Sequence, residues 1–200
     1  MLPALILSPK DNTDILDMTA APGGKTTLMA NLAPKSRITA SEKDKFRAEK
    51  LKYNIALQNA KNCFVMVRDS SLIEDYYKFD SVLLDAPCSG TGTIELDYFK
   101  SYKNISEKLI QNCSIIQKKL LEKAINITKK GGSIVYSTCS ILKEENEDIV
   151  LPFIKSNKVK LEPITEYTNL PLLPCAINGA LCIKPTKEYE GFFVCKLTKL

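Results

Sequence analysis

The chain has 200 residues, 44% hydrophobic and 26% charged, which fits one α/β domain of ordinary size and is too apolar for disorder. No run of about 18 apolar residues occurs, which excludes a helical membrane span. Histidine is absent, which removes serine–histidine hydrolysis, histidine-ligated metals and imidazole proton shuttles and leaves Cys, Asp, Glu, Lys, Tyr, Ser or Thr as acid, base or nucleophile.

Met1 to Leu7 lacks a charged region ahead of its short apolar run, and Pro3 interrupts it. It reads as an exposed chain start or a domain cut, not a signal peptide. Ile15-Leu16-Asp17-Met18 then reads as a first strand, ending in the small-residue turn Ala20-Ala21-Pro22-Gly23-Gly24, with a helix over Lys25 to Leu32. Arg37 to Ala40 is a second strand, followed by an amphipathic helix over Asp44 to Gln58 with Phe46, Leu51, Ile55 and Leu57 as its inward face. Cys63 to Val67 gives a third strand and Ser81-Val82-Leu83-Leu84 a fourth, apolar on both faces as a central parallel strand should be. A long helix over Leu109 to Ile127 is stopped by Lys129-Lys130-Gly131-Gly132, and Ser133 to Tyr136 is a fifth strand. Glu144 to Ile154 reads as a helix with acidic residues in its first turn, and Lys158 to Leu161 with Phe192 to Leu197 as a closing antiparallel pair. This alternation predicts a doubly wound α/β sheet over residues 1–200, with its ligand at the carboxyl ends of the strands.

Three segments at predicted strand ends carry chemistry. Asp17-Met18-Thr19-Ala20-Ala21-Pro22-Gly23-Gly24-Lys25-Thr26 lets a ligand approach backbone N–H groups at a helix start. It fails the dinucleotide fingerprint, and it misses the phosphate-loop pattern because Thr19 stands where that pattern needs its first glycine. Further on, Glu42 follows the second strand; a carboxylate there can accept from both hydroxyls of a ribose, and Asp69 follows the third strand in the same way. Asp85-Ala86-Pro87-Cys88-Ser89-Gly90-Thr91-Gly92 and Tyr136-Ser137-Thr138-Cys139-Ser140 each put a cysteine at a strand end, which neighbouring strands would bring into one crevice. The remaining cysteines, Cys63, Cys113, Cys175, Cys182 and Cys195, sit in helices or apolar contexts and read as ordinary buried thiols. The total is seven, with no C-x-x-C pair, which favours free thiols in a reducing cytoplasm and no metal site. The net charge of +5 is mildly favourable for a polyanion.

Together with Glu144-Glu145-Asn146-Glu147 and the tail Gly191-Phe192-Phe193, these segments resemble the RNA cytosine-C5 methyltransferases of the Nol1/Nop2/Sun family. The resemblance implies a Rossmann-like class I fold binding S-adenosyl-L-methionine, mostly parallel with an antiparallel C-terminal strand. It implies that Thr19, Ala20, Ala21, Pro22, Gly23, Gly24 and Lys25 hold the methionine part of the cofactor, that Glu42 holds the ribose, that Asp69 lies by the adenine and that Asp85 sits beside cofactor and target base. It makes Cys139 the nucleophile and Cys88 an aid to product release; the Pro-Cys nucleophile of DNA cytosine-C5 methyltransferases makes Cys88 the rival. Lys25 and Asp85 would polarise the base edge. The substrate implied is RNA, rRNA before tRNA, in the cytoplasm or, in a eukaryote, the nucleolus. The family usually carries RNA-binding sequence ahead of the first segment, so a separate RNA-recognition domain or protein is expected. Lys100, Lys103, Lys118 and Lys119 could contact phosphate, or simply form a solvated face. A phosphate-loop nucleotide hydrolase and a non-catalytic RNA-binding or assembly factor on the same fold are the competing readings.

Overall fold

The computed structural model describes residues 1–95, 99–167 and 169–200. Five strands run parallel: β1 (Asp14–Asp17), β2 (Arg37–Glu42), β3 (Cys63–Val67), β4 (Phe79–Asp85) and β5 (Thr128–Thr138). Three more, β6 (Val159–Glu162), β7 (Leu181–Ile183) and β8 (Phe192–Lys199), complete an eight-stranded sheet of order β3-β2-β1-β4-β5-β8-β6, with β7 also paired to β8. β8 is antiparallel to β5, from Ser133 opposite Thr198 to Thr138 opposite Phe193. The expected mostly parallel sheet with its antiparallel C-terminal strand is therefore the observed one.

The helices are α1 (Leu2–Leu7), α2 (Gly24–Leu32), α3 (Lys45–Leu57), α4 (Glu107–Ile127) and α5 (Glu147–Lys155). Strand periodicity divides the core into two layers. Leu16, Val82, Leu84, Ile134 and Tyr136 pack with Leu121 and Ala124 of α4 and Val150 of α5. Ile15, Ile38, Leu83 and Val135 pack on the other face with Ala4 and Leu7 of α1 and Met29 of α2. Both faces are covered, which is why the parallel strands read as unbroken apolar runs. Side chains cap the longer helices: Asp44 accepts the Arg47 N–H at 2.8 Å, and Ser106 accepts the Leu109 N–H at 3.2 Å. The chain winds from β1 towards β3 on one side and from β4 towards β5 on the other, so a crevice opens at the carboxyl ends of β1 and β4.

Several expectations are corrected. The first residues are not an exposed start: they form α1 and bury Pro3, Ala4, Ile6 and Leu7 against the sheet. Proline in the first turn has no N–H to lose there, so Pro3 permits the helix. Phe46 and Leu57 do not face inward; they are 85% and 64% exposed. The buried stripe of α3 passes through Ala48 and Leu51 with Ile55 packed beside it, and Phe46 and Leu57 lie off it. α4 ends at Ile127 as read, but Lys129 to Gly132 begin β5 directly instead of forming a separate stop. The helix expected from Glu144 is preceded by a 3-10 turn at Lys143–Glu145 and starts at Glu147.

Candidate active site

The turn after β1 is held from behind by α3. Arg47 Nη2 donates to the Ala21 carbonyl at 3.0 Å, and Asn54 Nδ2 donates to the Pro22 carbonyl at 2.7 Å. Gly23 has φ +113°, a conformation that favours glycine, and a Cβ there would lie 2.9 Å from Leu51 Cδ1, which would have to turn aside. Thr19 Oγ1 donates to the Asp85 carbonyl at 2.7 Å and ties this turn to the end of β4. Glu42 is buried at the end of β2, its Oε1 accepting the Asp44 N–H at 3.0 Å, and Asp69 accepts the Ser71 N–H at 2.9 Å after β3.

A cleft of about 350 Å³ opens among these groups. Thr19, Ala21, Glu42, Asp69, Asp85, Cys88 and Cys139 line it, as the strand-end reading requires. Ala20, Pro22, Gly23, Gly24 and Lys25, expected in the cofactor site, do not line it; Lys25 Nζ turns to Asp85 Oδ2 at 2.7 Å. Ser137 Oγ donates to the other Asp85 oxygen at 2.7 Å. Lys119, named from the sequence as a possible phosphate contact, also lines the cleft, as do Lys43, Arg47, Arg68 and Ile116, which the sequence reading did not single out. Lys100, Lys103 and Lys118 are exposed.

The two strand-end cysteines meet. Cys88 Sγ and Cys139 Sγ are 2.7 Å apart, inside van der Waals contact and beyond disulfide bonding distance, and both thiols are free. The two sulfurs face each other directly, and either can be the donor. That hydrogen bond holds the Cys139 thiol below its ordinary value and pushes Cys88, also desolvated, far above it. Burial drives the other cysteines upward: Cys63, Cys175 and Cys182 to about 11, and Cys113 and Cys195 in the same direction. Of the seven thiols, Cys139 is the one held below its ordinary value.

The loops carrying the pair are stitched together. Gly92 N–H donates to the Cys139 carbonyl at 2.9 Å, Gly191 N–H donates to the Gly92 carbonyl at 2.7 Å, and the Thr91 and Ser140 hydroxyls are 2.8 Å apart. Asn146, fully buried, accepts from Thr138 Oγ1 at 2.5 Å and donates to the Ser140 carbonyl at 2.9 Å. Among the described residues, no group of three or more Cys, Asp or Glu is placed to hold a metal ion, and no helix is long and apolar enough to cross a membrane.

Asp17 closes the site from below. It is wholly buried, accepts from Thr26 Oγ1 at 2.7 Å, and desolvation raises its carboxyl to about 6. The folded chain holds this proton more tightly than the unfolded chain does. The stability involved is therefore complete below the unfolded value near ~3.9 and is lost as pH rises through 6, a change of about 3 kcal/mol. Asp17→Asn, which keeps an acceptor for Thr26, should be the more stable protein at pH ~8, with the gap closing below pH ~5. Urea unfolding at both pH values measures this, and a gap independent of pH would refute the titration of Asp17.

Residues 4–198 match the protein family described as 16S rRNA methyltransferase RsmB/F. The chain is 37% identical over 202 residues to ribosomal RNA small subunit methyltransferase F of Shewanella halifaxensis, covering 97% of this chain and 42% of that protein. It is 36% identical over 214 residues to the human 28S rRNA (cytosine(4447)-C(5))-methyltransferase, covering 100% of this chain and 26% of that protein. The structure of NSun6 from Pyrococcus horikoshii with SFG superposes with a TM-score of 0.88 at 35% identity, over 99% of this chain and 50% of that one. The chain thus spans less than half the length of these two rRNA methyltransferases.

Proposed function

The chain belongs to the RsmB/F family of 16S rRNA methyltransferases, and from that premise we propose that it methylates C5 of cytosine in RNA, rRNA before tRNA, from S-adenosyl-L-methionine through a covalent Cys139–C6 adduct. The observation that carries this reading is the Cys88–Cys139 contact in the cleft that Glu42, Asp69 and Asp85 also line. The residues fit the cofactor: a cleft of about 350 Å³ is in the range for small-molecule sites. Buried Glu42 supplies acceptor oxygens suited to ribose hydroxyls, and Asp69 lies at the neighbouring strand end, suited to the adenine. The Thr19–Lys25 turn would hold the methionine part. That the neighbour at 35% identity was solved with SFG supports the cofactor itself. The bound cofactor supplies an electrophilic methyl group on a sulfonium.

The chain's own residues supply the rest. Carbon 5 of cytosine is too weakly nucleophilic to take a methyl group unaided. The Cys139 thiolate forms a bond to C6, and the electron pair of the C5–C6 double bond makes C5 nucleophilic. After C5 has gained the methyl, loss of its proton restores the double bond, and the S–C6 bond breaks to return the thiolate. With no histidine in the chain and Cys88 held as the thiol, that proton leaves to a carboxylate or water. Cys88 assists release, and Asp85, held by Lys25 and Ser137, polarises the base edge. The Lys25–Asp85 pair argues against a phosphate loop, whose lysine would be turned to phosphate. The target base must be unpaired or flipped out to reach Cys139. Lys119 on the rim is suited to a phosphate, while the wider RNA contact belongs to a separate recognition domain or protein in the cytoplasm or nucleolus.

The test uses methyl-labelled cofactor with under-methylated total RNA, followed by digestion to nucleosides. Label in 5-methylcytidine is expected; label in any other nucleoside would overturn the thiolate mechanism. Glu42→Ala should weaken cofactor binding about 10- to 100-fold by calorimetry, since it removes hydrogen bonds to a charged acceptor. Unchanged affinity would take the ribose away from Glu42.

A further inference from the structure

Glu145 lies outside the cleft lining, yet it is fully buried and its carboxylate is fully engaged. Oε1 accepts the Ser89 N–H at 2.8 Å and Gln117 Nε2 at 3.1 Å, and Oε2 accepts Ser89 Oγ at 2.5 Å. Gln117 Nε2 also donates to the Pro87 carbonyl at 2.9 Å. Pro87 and Ser89 flank Cys88, so this cluster grips the Cys88 loop on both sides. The backbone of Glu145 is itself anchored, its carbonyl accepting from buried Tyr136 OH at 2.6 Å. A buried carboxylate is costly unless neutralised or hydrogen-bonded, and among the described residues no lysine or arginine forms an ion pair with Glu145. A neutral side chain would seal this space at lower cost, so the placement calls for an explanation in the loop it holds.

We propose that Glu145 is a positioning residue that clamps the Cys88 loop through Ser89 and so keeps Cys88 Sγ against Cys139 Sγ. It touches neither substrate nor cofactor cleft and acts through Cys88. The inference rests on the proposed cytosine chemistry for its meaning, but the clamp can be tested without that chemistry. The charged or titratable groups facing the thiol pair and its clamp are Asp85 from β4 with its partner Lys25 from α2, Cys113 from α4, Tyr136 from β5, and Glu145 itself.

The full chain is compared with Glu145→Gln, which keeps the size of the side chain and turns an NH2 group towards existing donors. The first readout is bridging of Cys88 to Cys139 by dibromobimane, mapped by peptide mass spectrometry. Loss of the clamp should slow bridging about 10-fold or more, with cofactor affinity within about twofold of the parent. Glu145→Asp should recover part of that loss. The second readout is a double-variant cycle in RNA methylation. Glu145→Gln should lower kcat about 100-fold, with KM for the cofactor little changed, and in a Cys88→Ser background should leave the rate of the first methyl transfer unchanged. A merely structural role would slow that first transfer further. Unchanged bridging, or a slower first transfer in the Cys88→Ser background, overturns the proposal. If Glu145→Gln loses cofactor binding altogether, Ser89→Ala removes one donor with less disturbance and should slow bridging about threefold or more, since one charge-assisted hydrogen bond is lost; unchanged bridging there overturns the clamp equally. A parent chain that forms no 5-methylcytidine would defeat the functional reading, while the bridging result would still decide the clamp.

Discussion

Cys139→Ser should lower transfer of labelled methyl groups to RNA by about 10⁴-fold or more, while Cys88→Ser should complete a first transfer and then stall with the RNA attached. The asymmetry follows from the proton in the pair. The contact holds the Cys139 thiol below its ordinary value and pushes Cys88 above it, so the thiolate is favoured on Cys139 and the thiol on Cys88. A serine hydroxyl at position 139 is almost never ionised near neutral pH and attacks C6 poorly. At position 88 the change leaves a nucleophile in place but removes the group beside the sulfur that must depart. The measurement is label in 5-methylcytidine, paired with a denaturing gel for protein-linked RNA. Adduct should accumulate with Cys88→Ser and be absent with Cys139→Ser. The opposite pattern would identify Cys88 as the nucleophile, in the manner of the Pro-Cys enzymes, and would reverse the proton assignment as well.

The cleft was legible because its parts sit where parallel strands end. Asp17, Glu42, Asp69, Asp85 and Cys139 each stand at or just past the end of a parallel strand, and doubly wound topology brings such ends together however far apart they lie in the chain. The double burial of β4 made it readable as Val82-Leu83-Leu84 without a break. What stayed hidden depended on neighbours. Phe46 and Leu57 look apolar enough to be core, but α3 covers the sheet with Ala48 and Leu51, so the larger residues point outwards. β7 has only Leu181, Cys182 and Ile183, too few for a period, and exists because β8 offers an edge. Glu145 and Asn146 read as acidic or polar helix-start residues, whereas both are buried hydrogen-bonding centres between two loops. The run Glu144-Glu145-Asn146-Glu147 marks a helix start equally well with its side chains in water, so the donors that trap Glu145 and Asn146 are visible only in three dimensions.

Gly92→Ala should destabilise the fold by about 3 kcal/mol or more and reduce methylation beyond what that loss of stability explains. A Cβ at position 92 would lie 2.0 Å from the Gly191 carbonyl oxygen, 2.6 Å from its carbon and 2.9 Å from the Cys139 carbonyl oxygen. These neighbours are backbone atoms, so no rotamer change can make room. Relief requires pulling apart three segments: the Cys88 loop, the Cys139 loop and the entry to β8. The hydrogen bonds of Gly92 N–H to Cys139 and of Gly191 N–H to Gly92 would be broken in the process. A displacement of about 1 Å at a reacting group can cost about 100-fold in rate, and the Cys139 backbone is one of the parts that must move. Gly131→Ala is the control, because nothing lies within 4 Å of its added Cβ and only its φ of +76° resists substitution. That variant should lose about 1 kcal/mol and keep full activity. Urea unfolding and single-turnover methylation of both proteins separate the two effects. A Gly92→Ala protein as stable and active as the Gly131→Ala control would show that the cysteine loops do not depend on this close backbone approach.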